Sequence, residues 1–131
     1  MDTESFKIYA EGPWLTRKTM EWFWNQYLSD KQVRSEPTAS PLLASPELLR
    51  AFPPTLIITA EHDVLRDEGE DFARKLMNSG VYSISTRYNG AIHDFMLLNA
   101  ISRSSVTIAA LGQATQFLGH CLHQHENETV L

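Results

Sequence analysis

Residues 53–70 read PPTLIITAEHDVLRDEGE and predict a buried strand followed by a helix. The apolar, β-branched run from Thr55 to Ala60 follows a double proline, which is typical of a strand buried on both faces of a parallel sheet. Asp67 precedes Glu70 by three residues, a capping-box spacing that predicts the start of a helix at Asp67. Gly80 stands where this helix is expected to end. The inner face of the helix is expected to comprise Phe72, Ala73, Leu76 and Met77.

A second strand and a last helix complete a regular pattern in the rear of the chain. The strand is predicted from Val81 to Tyr88, and Asn89-Gly90 is expected to end it. The order strand, helix, strand, helix over residues 55–131 is a βαβα unit, whose crossover helix implies two parallel strands. Since two strands do not make a self-sufficient parallel sheet, we expect an α/β fold in which this unit is the carboxyl-terminal portion of a larger sheet. The last helix, over residues 105–124, is expected to turn inward Ile108, Leu111, Thr115, Leu118 and Leu122.

The front of the chain, residues 1–54, contains all six prolines and reads as one aromatic helix and an irregular connection. Thr16 is predicted to cap a helix that runs to about Leu28. The connection from Ser29 to about Pro54 is expected to contain one helical turn, Pro46 to Arg50. The large side chains of the helix recur at helical spacing and are expected to be core: Met20, Phe23, Trp24, Tyr27 and Leu28.

The composition excludes several classes of protein. The length allows one domain, so residues 1–131 are expected to form a single partial domain. The formal net charge of −5 offers no basic surface to nucleic acid, and no apolar stretch is long enough to span a membrane. The single cysteine, Cys121, can form neither an internal disulfide nor a multi-thiolate zinc site, and we expect a cytoplasmic protein. The six glycines form no G-x-G, GxxxxGK or G-x-S-x-G motif.

Two candidate catalytic residues follow the two predicted strands. Asp63 comes after the first strand and His93 after the second, and functional groups in open α/β sheets collect just past the carboxyl ends of the strands. A carboxylate and an imidazole placed in this way match the acid and the histidine of a hydrolytic triad. From spacing alone two ordinary interpretations stay open, because a strand-end Asp can cap a loop and a loop His can be a surface residue.

Several motifs together resemble one esterase family. They are residues 53–76, then Tyr88-x-Gly90-x-x-His93, and further upstream Ala10-Glu11-Gly12, Trp22-Phe23-Trp24 and Ser40-Pro41-Leu42. In these motifs the chain resembles the carboxyl-terminal part of the hormone-sensitive-lipase-like esterases, which are α/β-hydrolases. The resemblance spans nearly the whole chain.

The resemblance implies roles for the candidate residues. Asp63 matches the triad acid of the family and His93 the triad base. Asp67 is a rival acid, but the helix cap predicted for it explains its presence without catalysis. Two positions depart from the family, which usually has proline where Val64 stands and glycine where Asp94 stands.

The resemblance also implies that the nucleophile lies elsewhere. In the family a serine in a glycine-rich elbow and a His-Gly-Gly oxyanion segment both precede the part that matches this chain. We therefore expect the carboxyl-terminal portion of a serine carboxylesterase that hydrolyses small carboxylic esters through an acyl-serine, needs no metal or cofactor, and is inactive alone. An alternative is a non-catalytic module that self-associates through its last strand, Tyr82 to Tyr88, or pairs with a missing amino-terminal half. A third is a small enzyme with a local serine nucleophile such as Ser40.

Overall fold

The described part of the chain, residues 2–128 of this computed structural model, contains two strands among helices and short 3₁₀ turns. Side chains of the last helix are described as far as His123. In these residues no helix is both long and apolar enough to cross a membrane. The chain divides into two compact units, Met1–His93 and Asp94–Leu131. In chain order the elements are α1 (Glu4–Ile8), α2 (Arg17–Tyr27), 3₁₀ turns at Val33–Ser35 and Pro41–Leu43, α3 (Pro46–Leu49), β1 (Thr55–His62), α4 (Arg66–Asn78), β2 (Ser83–Ile92), a 3₁₀ turn at Asn99–Ile101, and α5 (Ser105–Glu128).

The two strands of the first unit pair in parallel, as predicted, with α4 between them in sequence. Thr55 lies opposite Ser83, and Ala60 lies opposite Tyr88. Only two residues of β1, Thr59 and Ala60, are buried. The predicted burial on both faces is therefore wrong for the described residues, because a sheet of two strands leaves most of β1 without neighbours to cover it.

Strand β2 continues past the point where it was predicted to end. The dipeptide Asn89-Gly90 lies inside β2, which runs to Ile92. Between Ala60 and His62 the register shifts, because β2 advances from Tyr88 to Ile92 over the same interval. The glycine permits this bulge, since its φ of 74° lies in the left-handed region that favours glycine. The prediction that Asn89-Gly90 ends the strand is therefore wrong, because these residues form a bulge within β2.

Helix α4 begins one residue earlier than predicted and lacks the predicted capping box. Its N-cap is Leu65, which makes no side-chain cap hydrogen bond. Asp67 lies in the first turn, where its carboxylate accepts the amide of Ser5 at 2.7 Å. Glu70 accepts two hydrogen bonds from the guanidinium of Arg87 on β2. The capping-box prediction is wrong because tertiary partners take both carboxylates.

The carboxyl end of α4 confirms the prediction at Gly80, whose φ is 85°. The amide of Gly80 donates to the carbonyl of Met77 at 3.0 Å, and the amide of Val81 donates to that of Leu76 at 3.1 Å. These two bonds form a Schellman motif. The predicted inner face is correct except for Met77, which is exposed. Leu76 and Val81 are buried with Ala44 and Leu49, against partly buried Ile57 and Phe72.

Helix α2 begins where it was predicted, but its aromatic face is not core. The hydroxyl of Thr16 accepts the amide of Thr19 at 3.1 Å, which confirms the predicted cap. The predicted turn after Ser45 is also confirmed, as α3. No residue of α2 is buried, and Phe23 and Tyr27 are exposed. The prediction of a buried aromatic stripe is therefore wrong for the described residues.

A short helix that no sequence pattern predicted, α1, fastens the amino-terminal segment to the loop after β1. The hydroxyl of Thr3 caps α1 by accepting the amide of Phe6. Phe6 is fully buried in a cluster with Leu15 and Val64. The hydroxyl of Ser5 donates to the carbonyl of Val64 at 2.7 Å. Packing and hydrogen bonding therefore hold this loop from one side.

The second unit consists of a loop, a 3₁₀ turn and α5. The hydroxyl of Ser104 accepts the amide of Thr107, and the hydroxyl of Thr107 donates to the carbonyl of Phe95 at 3.0 Å. Thr107 and Ala110 are buried. Helix α5 extends to Glu128, beyond the predicted end. The inner side predicted for this helix is wrong for the described residues, since all its members are exposed: Ile108, Leu111, Thr115, Leu118 and Leu122.

Candidate active site

The residues that follow β1 and β2 bring Asp63 and His93 into direct contact. Nδ1 of His93 lies 2.8 Å from Oδ2 of Asp63, across a sequence separation of 30 residues. Because an ionised carboxylate can only accept, the imidazole donates its Nδ1–H; in the neutral form of the ring the proton-free nitrogen is then Nε2. Both side chains are sheltered, with 11% of Asp63 and 25% of His93 exposed. The structure thus joins the two residues that the sequence singled out.

The carboxylate of Asp63 is oriented by its own loop. Its second oxygen, Oδ1, accepts the amide of Leu65 at 2.9 Å, so each oxygen has a partner. The intervening residue, Val64, is fully buried and carries the carbonyl that Ser5 binds. The backbone that directly follows Asp63 is therefore fixed, which keeps Oδ2 aimed at the imidazole.

Asp67, the rival acid, is committed to other partners. Its Oδ2 accepts the amide of Ser5 at 2.7 Å, and its Oδ1 accepts Nε of Arg66 at 2.8 Å. Burial alone would raise the pKa of Asp67, but the hydrogen bonds from Ser5 and Arg66 outweigh it and hold that pKa below its ordinary value. Asp67 thus joins α1 to α4 as an ionised group.

A second polar cluster, which the sequence analysis missed, surrounds the end of β1. Oε2 of Glu61 accepts the amide of Gly90 at 2.7 Å. Nδ1 of His62 lies 3.2 Å from the hydroxyl of Tyr9, and the two rings meet edge to face. The guanidinium of Arg66 lies over the Tyr9 ring and donates to the carbonyl of Glu61 at 3.0 Å. No sequence pattern indicated this cluster, because Tyr9 lies 53 residues before His62.

Two cavities flank the exposed aromatic side of α2. The smaller, of about 290 Å³, is lined by Met20, Phe23, Trp24, Tyr27 and Ala39. The larger, of about 410 Å³, is lined by Trp24, Ala39 and the segment 40–43, with Arg34 and Glu68 as charged members. Apolar walls with a few polar groups are typical of sites for small molecules.

Ser40, the local serine considered as a nucleophile, lies at the wall of the larger cavity. Its hydroxyl donates to the carbonyl of Arg34 at 2.7 Å. This bond ties the hydroxyl proton to a backbone oxygen, whereas an activated serine donates to a base. In the part of the chain that is described, no group of three or more His, Cys, Asp or Glu is placed to hold a metal ion.

Comparisons with known proteins match most of the chain. Residues 1–97 match the sequence profile of a family described as alpha/beta hydrolase fold. The vegetative-specific protein H5 of Dictyostelium discoideum is 35% identical over 99% of this chain and 40% of its own length. The carboxylic ester hydrolase LipN of Mycobacterium tuberculosis is 41% identical over 73% of this chain and 25% of its own length. A solved structure, a thermostable esterase from Pseudomonas putida, is 49% identical with a TM-score of 0.88, covering 92% of this chain and 38% of that one. The chain spans at most two fifths of each of these proteins.

Proposed function

Because this chain belongs to the α/β hydrolase fold family and, within it, to the hormone-sensitive-lipase-like esterases, we propose that Asp63 and His93 are the acid and the base of a serine carboxylesterase triad. The observation that carries the proposal is the 2.8 Å hydrogen bond between them, just past the ends of two parallel strands. The serine and the oxyanion donors would come from a part of the enzyme beyond these 131 residues, which contain no G-x-S-x-G motif.

In the proposed reaction Nε2 of His93 moves the protons. Asp63 accepts Nδ1–H and so favours the neutral tautomer whose Nε2 carries no proton and can accept one. Nε2 removes the proton of the serine hydroxyl as that oxygen attacks the ester carbonyl, and then gives it to the alcohol, which leaves behind an acyl-serine. Nε2 next removes a proton from water as the water attacks the acyl group, and returns it to the serine oxygen as the carboxylic acid leaves. In both the acylation and the deacylation step, the carboxylate of Asp63 stabilises the imidazolium of His93.

The apolar part of a small carboxylic ester is proposed to bind along α2. The two cavities there have apolar walls, and of the aromatic side chains that line them Phe23 and Tyr27 are exposed and Trp24 is half-buried. An exposed aromatic face is costly unless it has a ligand or a partner to cover. Substrate contact would explain why the aromatic stripe of α2 is not core.

A chimaera tests the proposal. The upstream part of the Pseudomonas putida esterase, joined to this chain in place of its own matching segment, restores a full-length hydrolase, and 49% identity makes the exchange conservative. We expect the chimaera to hydrolyse a short-chain nitrophenyl ester with an acyl-enzyme burst, and Asp63→Asn to lower kcat by about 10⁴ because the amide favours the wrong tautomer. Asp71→Asn, on exposed α4 surface, is the matched control and should keep full activity.

Two results would contradict the proposal. One is a chimaera that melts cooperatively but shows no turnover. The other is an Asp63→Asn chimaera as active as the Asp71→Asn control. The isolated chain should not hydrolyse the ester above the background of free imidazole, because it lacks both nucleophile and oxyanion donors.

Self-association through β2 is proposed as a second role. In the described residues the sheet consists of β1 and β2 alone, so each strand has one unpaired edge, and Tyr82 just before β2 is exposed. A second copy could pair with the free edge of β2 and cover it. Sedimentation velocity should then show a monomer–dimer equilibrium of the isolated chain, whereas a monomer at every concentration would refute this role. A dimeric chain combined with a folded but inactive chimaera would favour a binding module over an esterase.

A further inference from the structure

We propose that Glu61 is a positioning residue for His93, because its carboxylate holds the amide of Gly90 and so fixes the bulge through which β2 reaches the histidine. The proposal rests on the function proposed above for His93. In this role Glu61 acts through the backbone of β2 and not on the reacting atoms.

The bulge is a part of the path to His93 that the regular ladder does not hold. From the pair Ala60–Tyr88 to the pair His62–Ile92, β2 uses two more residues than β1, so the regular ladder is interrupted there. An interrupted ladder leaves backbone groups without their usual strand partners. Gly90 lies inside this interval with a φ of 74°, where glycine is also the residue with the most conformational freedom. Something must select one conformation of the bulge.

The carboxylate of Glu61 supplies that selection. Its Oε2 accepts the Gly90 amide at 2.7 Å, the short distance typical of a hydrogen bond to an ionised group. The backbone of Glu61 is itself held, because its carbonyl accepts Nη1 of Arg66 at 3.0 Å. Arg66 is in turn bonded to Asp67, which is bonded to Ser5 on α1. The bulge is thus pinned to the same framework that orients the loop of Asp63.

The two clamps act in sequence along β2. Glu61 holds the strand at Gly90, and Asp63 holds it three residues later at His93. Both carboxylates project from the end of β1, on either side of His62. Because Glu61 is 36% exposed, water could bind the Gly90 amide if the Glu61 carboxylate were removed. A water molecule would not hold the amide at one place. Removing the first clamp should therefore spread the positions of the imidazole.

Three substitutions of Glu61 separate the effect of side-chain length from the effect of charge. Glu61→Gln keeps an acceptor of the same length without the charge, Glu61→Asp keeps the charge but falls one methylene short, and Glu61→Ala removes both. Glu21→Ala is the control, since Glu21 bonds only to the exposed side chain of Arg17 on α2 among the interactions described for it. Hydrogen exchange of the Gly90 amide and the population of the low-field His93 Nδ1–H resonance are measured in the full 131-residue chain; kcat and KM are measured in the chimaera.

We expect Glu61→Ala and Glu61→Asp to speed exchange of the Gly90 amide about tenfold, the equivalent of one charge-assisted hydrogen bond, and to deplete the Nδ1–H resonance. In the chimaera kcat should fall about tenfold with KM unchanged, because the histidine is misplaced and the substrate site is intact. Glu61→Gln keeps a neutral acceptor and should lose only about threefold, half of that free energy. Glu21→Ala should stay within about twofold of wild type in every measurement.

The proposal is overturned if Glu61→Ala leaves the Gly90 amide and the Nδ1–H resonance unchanged, or if Glu61→Gln is as impaired as Glu61→Ala. If Glu61→Ala does not fold, the contrast between Glu61→Gln and Glu61→Asp decides. An inactive wild-type chimaera would contradict the proposed esterase function, while the resonance and exchange measurements would still decide the role of Glu61.

Discussion

Replacing Asp67 with asparagine should loosen α1 from α4. Asparagine has one acceptor oxygen where aspartate has two, so its amide group must face either the Ser5 amide or the Arg66 guanidinium, and both are donors. Losing a hydrogen bond to a charged group costs about 1.5–3 kcal/mol, and the sheltered ion pair with Arg66 adds about 0.5 kcal/mol. The expected loss in free energy of unfolding is about 2–3.5 kcal/mol.

Thermal melting of the 131-residue chain at pH 7 measures this loss. At about 4 °C for each kcal/mol in a chain of this size, Asp67→Asn should lower Tm by about 10 °C. The pKa of Asp67 is lowered in the folded state, so its stabilisation is fully present above the unfolded pKa of about 3.9 and is lost as the pH falls through the folded pKa. The difference in Tm between wild type and variant should therefore shrink below about pH 3.9.

The reasoning has a matched control and two ways to fail. Asp71→Asn makes the same chemical change one turn later in α4, where the carboxylate is 50% exposed, and should shift Tm by no more than about 2 °C. An Asp67→Asn chain that melts with the control at pH 7 would show that the Ser5 contact contributes nothing. A difference that persists undiminished in strong acid would show that the contribution is not electrostatic.

Three further predictions concern the triad, the clamp between α4 and β2, and the residue after the histidine. In the chimaera, the double variant Asp63→Asn/His93→Ala should be no more than about twofold slower than His93→Ala alone, because the two residues act as a unit; multiplicative losses in steady-state kinetics would argue against a shared role. Glu70→Gln should lower stability at pH 7 by about 1 kcal/mol, since the hydrogen bonds of Arg87 lower the pKa of Glu70. This stabilisation is present above the unfolded pKa of about 4.3 and is lost as the pH falls through the folded pKa, so acid titrations followed by circular dichroism should converge below about pH 4.3; parallel curves would refute it. Asp94→Ala should melt about 4 °C below Asp94→Gly, because Asp94 has a φ of 61°, where alanine is strained and glycine is not; equal Tm values would refute this.

The sequence predicted those elements that a few neighbouring residues decide. Thr16 caps α2, Gly80 ends α4 in a Schellman motif, and the apolar run after Pro54 forms a parallel strand. In each case the stabilising hydrogen bonds or the side-chain pattern lie within one or two turns of chain. Asp63 and His93 lie 30 residues apart, so no local rule joins them; the strand order placed both at one edge of the sheet, and the resemblance to an esterase family implied their roles.

Predictions failed where the deciding partner is distant in sequence. Asp67 and Glu70 have the spacing of a capping box, but Asp67 binds Ser5, 62 residues earlier, and Glu70 binds Arg87. The dipeptide Asn89-Gly90 has the composition of a turn, but Glu61, 29 residues earlier, accepts its glycine amide within a bulge. Helix α1 is too short, at five residues, to show a periodic pattern. No local rule contains these partners, so only the structure reveals them.

The candidate acid and base lie on one continuous stretch of chain, inside the unit Met1–His93. If the proposed function is correct, the serine belongs to a different stretch of chain. A break in the polypeptide between these two stretches would separate the nucleophile from its base and leave the Asp63–His93 pair intact. Turnover would then need two separate polypeptides to find each other. Each could be fused to one of two proteins of interest, and colour from a chromogenic ester would report that those proteins had met. An enzyme whose triad is divided along the chain in this way is suited to use as a split reporter.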